Sequence, residues 1–314
     1  MATDTVRRRL RTAPPAPAVR RLVLTEADYL LFEAIVRHGP LPSHYLYEFT
    51  KYLRRDRSHL QNRLTEFYNG DARGPYLTRP PQQFASYEAR YQHLVYDLAP
   101  RARLVLAERG VGKHTIPRAD PFVHRLMNAC VMASIELAAR QVGLGFISFD
   151  EILARPACEA ARNSSNPLTI SLPGSARKAL APDSLFGLQY PGDGYRFFAV
   201  EIDRNTESIE RRNLAQSSFG QKIAGYLAIL QSQSYRAWWG LPNLHVLTIT
   251  PSHLHSRNIL TFVKRQVEPR HGDRFAVTVV SDFGANWRVP RELLLSLVGE
   301  SWHTPTGEKN IGLA

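Results

Sequence analysis

Apolar and polar positions alternate with the period of a strand on both sides of Pro191-Gly192-Asp193-Gly194, over Leu185 to Leu188 and again over Tyr195 to Ile202. An Asp-Gly step between two such runs predicts a β-hairpin. Strand alternation then puts Phe197, Ala199, Glu201 and Asp203 on one face and Phe198, Val200 and Ile202 on the other, with Asp183 on the neighbouring strand. Elsewhere the period is helical. Tyr29, Leu30, Phe32, Ala34, Ile35 and Val36 form a stripe that Thr25 and Asp28 cap and His38-Gly39-Pro40 stops. A second short helix runs from Pro42-Ser43 through Tyr52, and a third occupies Asp56 to Leu64. Strand-like Tyr76 to Arg79, a return strand at Tyr91 to Val95 and a closing helix over Ala99 to Arg109 complete the outline of a winged helix-turn-helix.

From Pro121 a longer helix extends through Val142, with Leu126, Cys130, Ala133 and Leu137 at helical spacing and Gly143 after it. The order continues as strand Phe146 to Phe149, a helical turn to Ala154, the two hairpin strands, helix Gln216 to Gln231, strand Leu244 to Thr250, helix Ser252 to Val267 and strand Phe275 to Val280. This is a mixed α/β core with helices on both faces. The expected organisation is a disordered basic arm (1–21), a winged helix-turn-helix (22–112), a linker (113–120), the α/β domain (121–300) and a disordered tail (301–314). Trp238-Trp239 is assigned to packing, and His253-Leu254-His255 to a helix start beside Ser252.

Charge sharpens this outline. The 314 residues carry a formal +12 with a pI near 9.9, which favours a polyanionic partner. Residues 1–120 hold 20 of the 40 Lys and Arg but 12 of the 28 acids, so +8 of the charge lies there and nucleic-acid capture belongs to the N-terminal half. Its third helix is the expected reader of duplex DNA: Arg57, Ser58, His59, Gln61, Asn62 and Arg63 have donors for bases and phosphates, and Arg79 lies on the adjoining strand. The arm's arginines, Arg7 to Arg9, Arg11, Arg20 and Arg21, offer phosphate or minor-groove contact or serve solubility. Ala107 to His114 only superficially suggests a phosphate loop, because Ala107 and His114 stand where Gly and Ser/Thr are needed. Two cysteines, Cys130 and Cys158, are too few for a disulfide framework or a zinc site and fit a reducing cytoplasm. No run approaches the roughly 18 apolar residues of a membrane span, and Met1 to Arg11 lacks the apolar core of a signal peptide.

The hairpin carries the candidate chemistry. Clustered carboxylates raise one another's pKa unless a cation neutralises them, and hard oxygen ligands suit Mg²⁺ or Mn²⁺. On spacing alone Asp183, Glu201 and Asp203 read equally as a metal site or as solvated acids. Pro182-Asp183, Phe198 to Thr206, Gln221 to Tyr226 and His245 to Thr250 together resemble the PD-(D/E)XK nuclease superfamily. With the N-terminal module, residues 25–285 resemble the replication-relaxation family of plasmid and mobile-element proteins. The resemblance implies metal-dependent DNA phosphodiester hydrolysis by Asp183, Glu201 and Asp203. Asp203 occupies the motif's lysine position, so Lys222 is the first candidate for a migrated lysine and Arg204 the second. Gln221 and Tyr226 would line a DNA cleft, and Glu136 would join the metal or form a rim salt bridge. The competing class is a non-catalytic winged-helix replication or transcription regulator whose nuclease-like domain serves binding or dimerisation. A homodimer and other proteins of the same genetic element are the further partners this admits. Tyrosine-dependent relaxase chemistry needs a histidine cluster that Tyr226 lacks nearby in sequence.

Overall fold

The computed structural model describes residues 21–84, 93–112, 120–172, 179–192, 194–204, 219–283 and 289–313. Outside them lie the expected arm up to Arg20, wing residue Tyr91, linker residues 113–119, Asp193 of the hairpin turn, the motif residues Asn205 and Thr206, and the predicted helix start at Gln216. The chain forms two compact units, one of residues 1–133 with 287–294 and one of 134–286 with 295–314. The division falls within a helix, beyond the expected linker. No helix among the described residues is long and apolar enough to cross a membrane.

The first unit runs α1 (Glu26–His38), β1 (Leu41–Pro42), α2 (Ser43–Thr50), α3 (Arg57–Asn69), β2 (Leu77–Thr78), β3 (Val95–Leu98), α4 (Pro100–Glu108) and the start of α5 (Phe122–Gln141). Its three strands pair antiparallel in the order β1-β3-β2, the winged helix-turn-helix arrangement. Asp28 caps α1 by accepting from the Thr25 backbone at 2.8 Å, and Asp56 caps α3 by accepting from His59 N at 2.7 Å. Phe32, Phe67 and Tyr76 pack ring on ring at 5.0 to 5.6 Å beneath buried Leu31, Ile35, Leu60 and Leu64. Two expectations shift here. The second helix ends at Thr50 and gives way to a 3-10 turn over Lys51–Leu53. The return strand lies at 95–98 because the buried Gln83 amide holds Val95 through both its backbone groups, at 2.9 and 3.0 Å.

After α5 the second unit runs β4 (Gly145–Ile147), α6 (Phe149–Leu153), α7 (Glu159–Arg162), the short pair β5 (Ile170–Ser171) and β6 (Ala179–Leu180), then β7 (Ser184–Tyr190) and β8 (Gly194–Ile202). It continues with α8 (Phe219–Ser232), α9 (Ser234–Trp239), β9 (His245–Thr250), α10 (His253–Gln266), α11 (Pro269–Gly272), β10 (Phe275–Val279), α12 (Ser296–Gly299), β11 (Ser301–Thr304) and β12 (Gly307–Asn310). Seven strands make one mixed sheet in the order β12-β11-β10-β9-β8-β7-β4. β7 and β8 are the predicted hairpin, antiparallel with Ser184 opposite Val200. β8, β9 and β10 are parallel, joined by helical crossovers. From β4 to β10 the order of the main elements is the one the apolar pattern predicted, with the short β5–β6 pair added. The expected tail is instead β11 and β12, which add a hairpin to the sheet edge. Trp302 anchors it, fully buried with its indole donating to Leu297 O at 2.8 Å. Trp239 is core as expected, its indole donating to Pro167 O at 2.9 Å.

Phe197 lies over Gly187 on the paired strand, and a methyl added at Gly187 would sit 2.7 Å from its ring and 3.3 Å from Ile147. Phe197 is wholly buried and packed against its neighbours, so its ring has little room to yield. Gly187→Ala should therefore lower stability by about 1–3 kcal/mol in chemical denaturation. A neutral result would mean that the hairpin repacks freely.

Candidate functional site

The candidate site of the second unit forms at the carboxyl ends of β8 and β9. Asp183 precedes β7, and its position is fixed by backbone pairing to Val200 O at 2.9 Å and by its carboxylate accepting from Ile202 N at 2.7 Å. Glu201, 1% exposed, receives Lys222 Nζ on Oε2 at 3.1 Å and the Tyr226 hydroxyl on Oε1 at 2.5 Å. Lys222 and Tyr226 lie four residues apart on α8, so both reach the same strand end. Burial and the nearby Asp183 push the Glu201 carboxyl up to about 7, against the downward pull of Lys222 and Tyr226. Asp203 takes a different partner: His255 of α10, whose Nε2 lies 2.7 Å from Oδ2 with both side chains buried.

The structure thus brings Glu201, Lys222 and Tyr226 together and leads Asp203 away to α10. Asp183 acts on Glu201 electrostatically, while its carboxylate is taken by the backbone. Among the described residues no group of three or more His, Cys, Asp and Glu is arranged to hold a metal ion. Glu136 is buried and paired with Arg140 one turn along α5, the rim salt bridge that its sequence position also allowed. Both Glu201 oxygens already accept from protein donors, Lys222 on one and Tyr226 on the other. Mg²⁺ or Mn²⁺ would have to share these oxygens with Lys222 and Tyr226. Gln221 sits beside Lys222 at the start of α8, half-buried.

Sequence reasoning missed His255. Parallel pairing of Ile202 with Ile249 sets the ends of β8 and β9 side by side, so the helix after β9 starts next to Asp203. Ser252 caps that helix through His255 N at 3.2 Å, and the same residue's ring then reaches the acid. The available signal was an acid at one parallel strand's end and a histidine in the first turn after the next.

In the first unit, α3 presents Arg57, Ser58, His59, Gln61 and Asn62 to solvent. Arg57 lies over the Tyr47 ring at 5.2 Å. The preceding turn is also exposed, with Tyr52 at 87% and the Arg55 side chain at 89%. Two predicted readers have other work. Arg63 donates to buried Asp28 at 2.8 and 3.3 Å, to Glu66 and to Val23 O, and covers the Phe67 ring. Arg79 stacks on Tyr68 at 4.0 Å and bonds the Tyr96 hydroxyl. Both arginines hold the helix to its neighbours; neither belongs to the exposed row.

No curated protein and no solved structure gives a match. The family model described as replication-relaxation matches residues 32–241, which spans most of the winged helix-turn-helix and the sheet through α9. With well over half of its length matched, the chain belongs to the replication-relaxation family.

Proposed function

We propose that this protein binds duplex DNA through α3, as a replication or transcription regulator of a plasmid or mobile element, and that its α/β unit hydrolyses no phosphodiester. The observation carrying DNA binding is the exposed row Arg57, Ser58, His59, Gln61 and Asn62 on the second helix of a helix-turn-helix. Such a helix enters the major groove, where Arg reads guanine and Asn or Gln reads adenine. The family's association with plasmid replication and relaxation supports the setting. Mobility shift on duplex DNA should show binding that weakens steeply with salt. Arg57→Ala and Asn62→Ala should each cost about tenfold or more on the preferred site, a loss on the order of 1–3 kcal/mol. No binding at low salt, or binding indifferent to both variants, overturns the reading.

A second reading, metal-dependent cleavage, is favoured by one observation: Lys222 reaches Glu201 at 3.1 Å, where a migrated lysine would stand. Supercoiled plasmid incubated with Mn²⁺, Mg²⁺ or EDTA separates the two. The proposal expects identical plasmid in all three. Metal-dependent nicking that disappears in Asp183→Ala and Glu201→Ala would establish the nuclease instead.

A further inference from the structure

At the end of the sheet opposite Glu201, three cations gather near one imidazole. His245 opens β9, Arg196 lies near the start of β8, Arg274 immediately precedes β10 and Lys309 is on β12. Arg274 NH1 lies 3.1 Å from His245 Nε2, and Lys309 Nζ lies 3.1 Å from His245 Nδ1. A neutral imidazole offers one lone pair, yet both of its nitrogens face a cationic donor. At most one of these contacts is a good hydrogen bond while Lys309 is charged. Burial, together with Lys309, Arg274 and Arg196, holds His245 far down, at about 3, so the ring is neutral and adds no charge of its own. Burial and the two arginines also lower Lys309 to about 8. Among the described residues, Asp273 is the one acid acting on Lys309. It is exposed and occupied by the Thr306 hydroxyl at 2.6 Å.

The positions are fixed by backbone rather than by chance side-chain placement. Val246 N donates to Arg274 O at 2.7 Å, which pins Arg274 to β9. Arg196 donates to Leu313 O at 2.8 Å and stacks on Tyr190. Lys309 also donates to Asp273 O at 3.3 Å. Three cations held against one exposed acid is an unfavourable free state that a small anion would relieve.

We propose that Arg196, Arg274 and Lys309, grouped around the His245 imidazole, form a binding site for a phosphate group. Two guanidinium planes and an ammonium supply several N–H donors to one oxyanion, and such charge-assisted bonds are strong. The neutral ring adds no charge, and Asp273, the one described acid acting on Lys309, is exposed and held by Thr306. This site belongs to the other unit from α3 and to the opposite sheet end from the Glu201 cluster, and its test does not involve α3, so its failure leaves the reading of α3 untouched.

Thermal unfolding of the full chain in inorganic phosphate against chloride at matched ionic strength tests it. At a phosphate concentration about tenfold above Kd the midpoint should rise by roughly 2–4 °C. Lys309→Met and Arg274→Gln should keep or raise the midpoint in chloride, because each removes a like charge, and should lose the phosphate-dependent rise. A wild-type shift no larger than chloride's, or a rise that persists in both variants, overturns the proposal. A second arm identifies the source of the phosphate. If the group belongs to a DNA backbone, these variants also reduce the salt slope of duplex binding by about 0.9. If the slope is unchanged while the midpoint effect is lost, the site takes free phosphate.

Discussion

Asp28→Ala should cost the winged helix-turn-helix about 3–5 kcal/mol. Asp28 is wholly buried in α1 and takes Arg54 NH2 on Oδ1 at 2.9 Å and Arg63 NH2 on Oδ2 at 2.8 Å. It also receives the Thr25 amide and hydroxyl. One carboxylate therefore ties α1, the turn after α2 and α3 together. Removing it leaves two arginines facing each other, one of them, Arg54, itself buried, and charges stranded in this way cost far more than the intact pair contributes. Burial alone would raise the Asp28 pKa, but hydrogen bonds from Arg63, Thr25 and Arg54 outweigh it and hold the carboxyl below its ordinary value. A depressed folded pKa contributes stability that is complete above the unfolded value, roughly 3.9, and is lost as pH falls through the folded one. Hydrogen exchange provides the readout: protection of α1 and α3 amides should drop by about two to four orders of magnitude at neutral pH. Arg57→Ala, exposed on α3, should leave protection unchanged while weakening DNA binding. Equal protection in Asp28→Ala and wild type would refute the linkage.

The same residues show what the sequence made legible. Elements came through where a period ran long enough, as in α1, α5 and the β7–β8 hairpin, because apolar repetition is local information. β11 and β12 escaped because they are short, polar edge strands in which Trp302 is the one fully buried side chain, a pattern that composition reads as tail. Arg63 looked like its neighbours on α3, and only the position of Asp28, 35 residues earlier, turns it inward. His255 lies 52 residues from Asp203, a pairing set by parallel register rather than spacing. Alternation placed Glu201 and Asp203 on one face, and it could not show that α8 would claim the first and α10 the second. Lys222, by contrast, was a named candidate, since a lysine one helical turn before Tyr226 on the helix following the hairpin can face the hairpin's carboxylates, as it does.

Lys222→Met should destabilise the second unit by about 2–3 kcal/mol at pH 8.5 and by less than about 1 kcal/mol at pH 5.5. In the wild type the Glu201 carboxyl titrates near 7, raised first by burial and then by Asp183. The stability this raised pKa contributes is complete below the unfolded value, roughly 4.3, and is lost as pH rises through about 7. Lys222 limits that loss, because its ammonium at 3.1 Å compensates the charge that appears above 7. Without it the folded pKa climbs further, and at pH 8.5 the unit must either bury an uncompensated carboxylate or take up a proton from a dilute pool. At pH 5.5 Glu201 is protonated in both proteins, and only the packing of the side chain differs. Guanidinium unfolding at the two pH values measures the difference, and the Glu201→Gln/Lys222→Met double variant should lose the pH dependence. A penalty equal at both pH values would make Lys222 a packing residue and remove its pairing with Glu201. Mn²⁺ discriminates further: a carboxyl whose two oxygens are held by Lys222 and Tyr226 should gain no stability from the ion at pH 8.5, whereas a metal site would gain RT ln(1 + [Mn²⁺]/Kd) and lose that gain in Glu201→Gln.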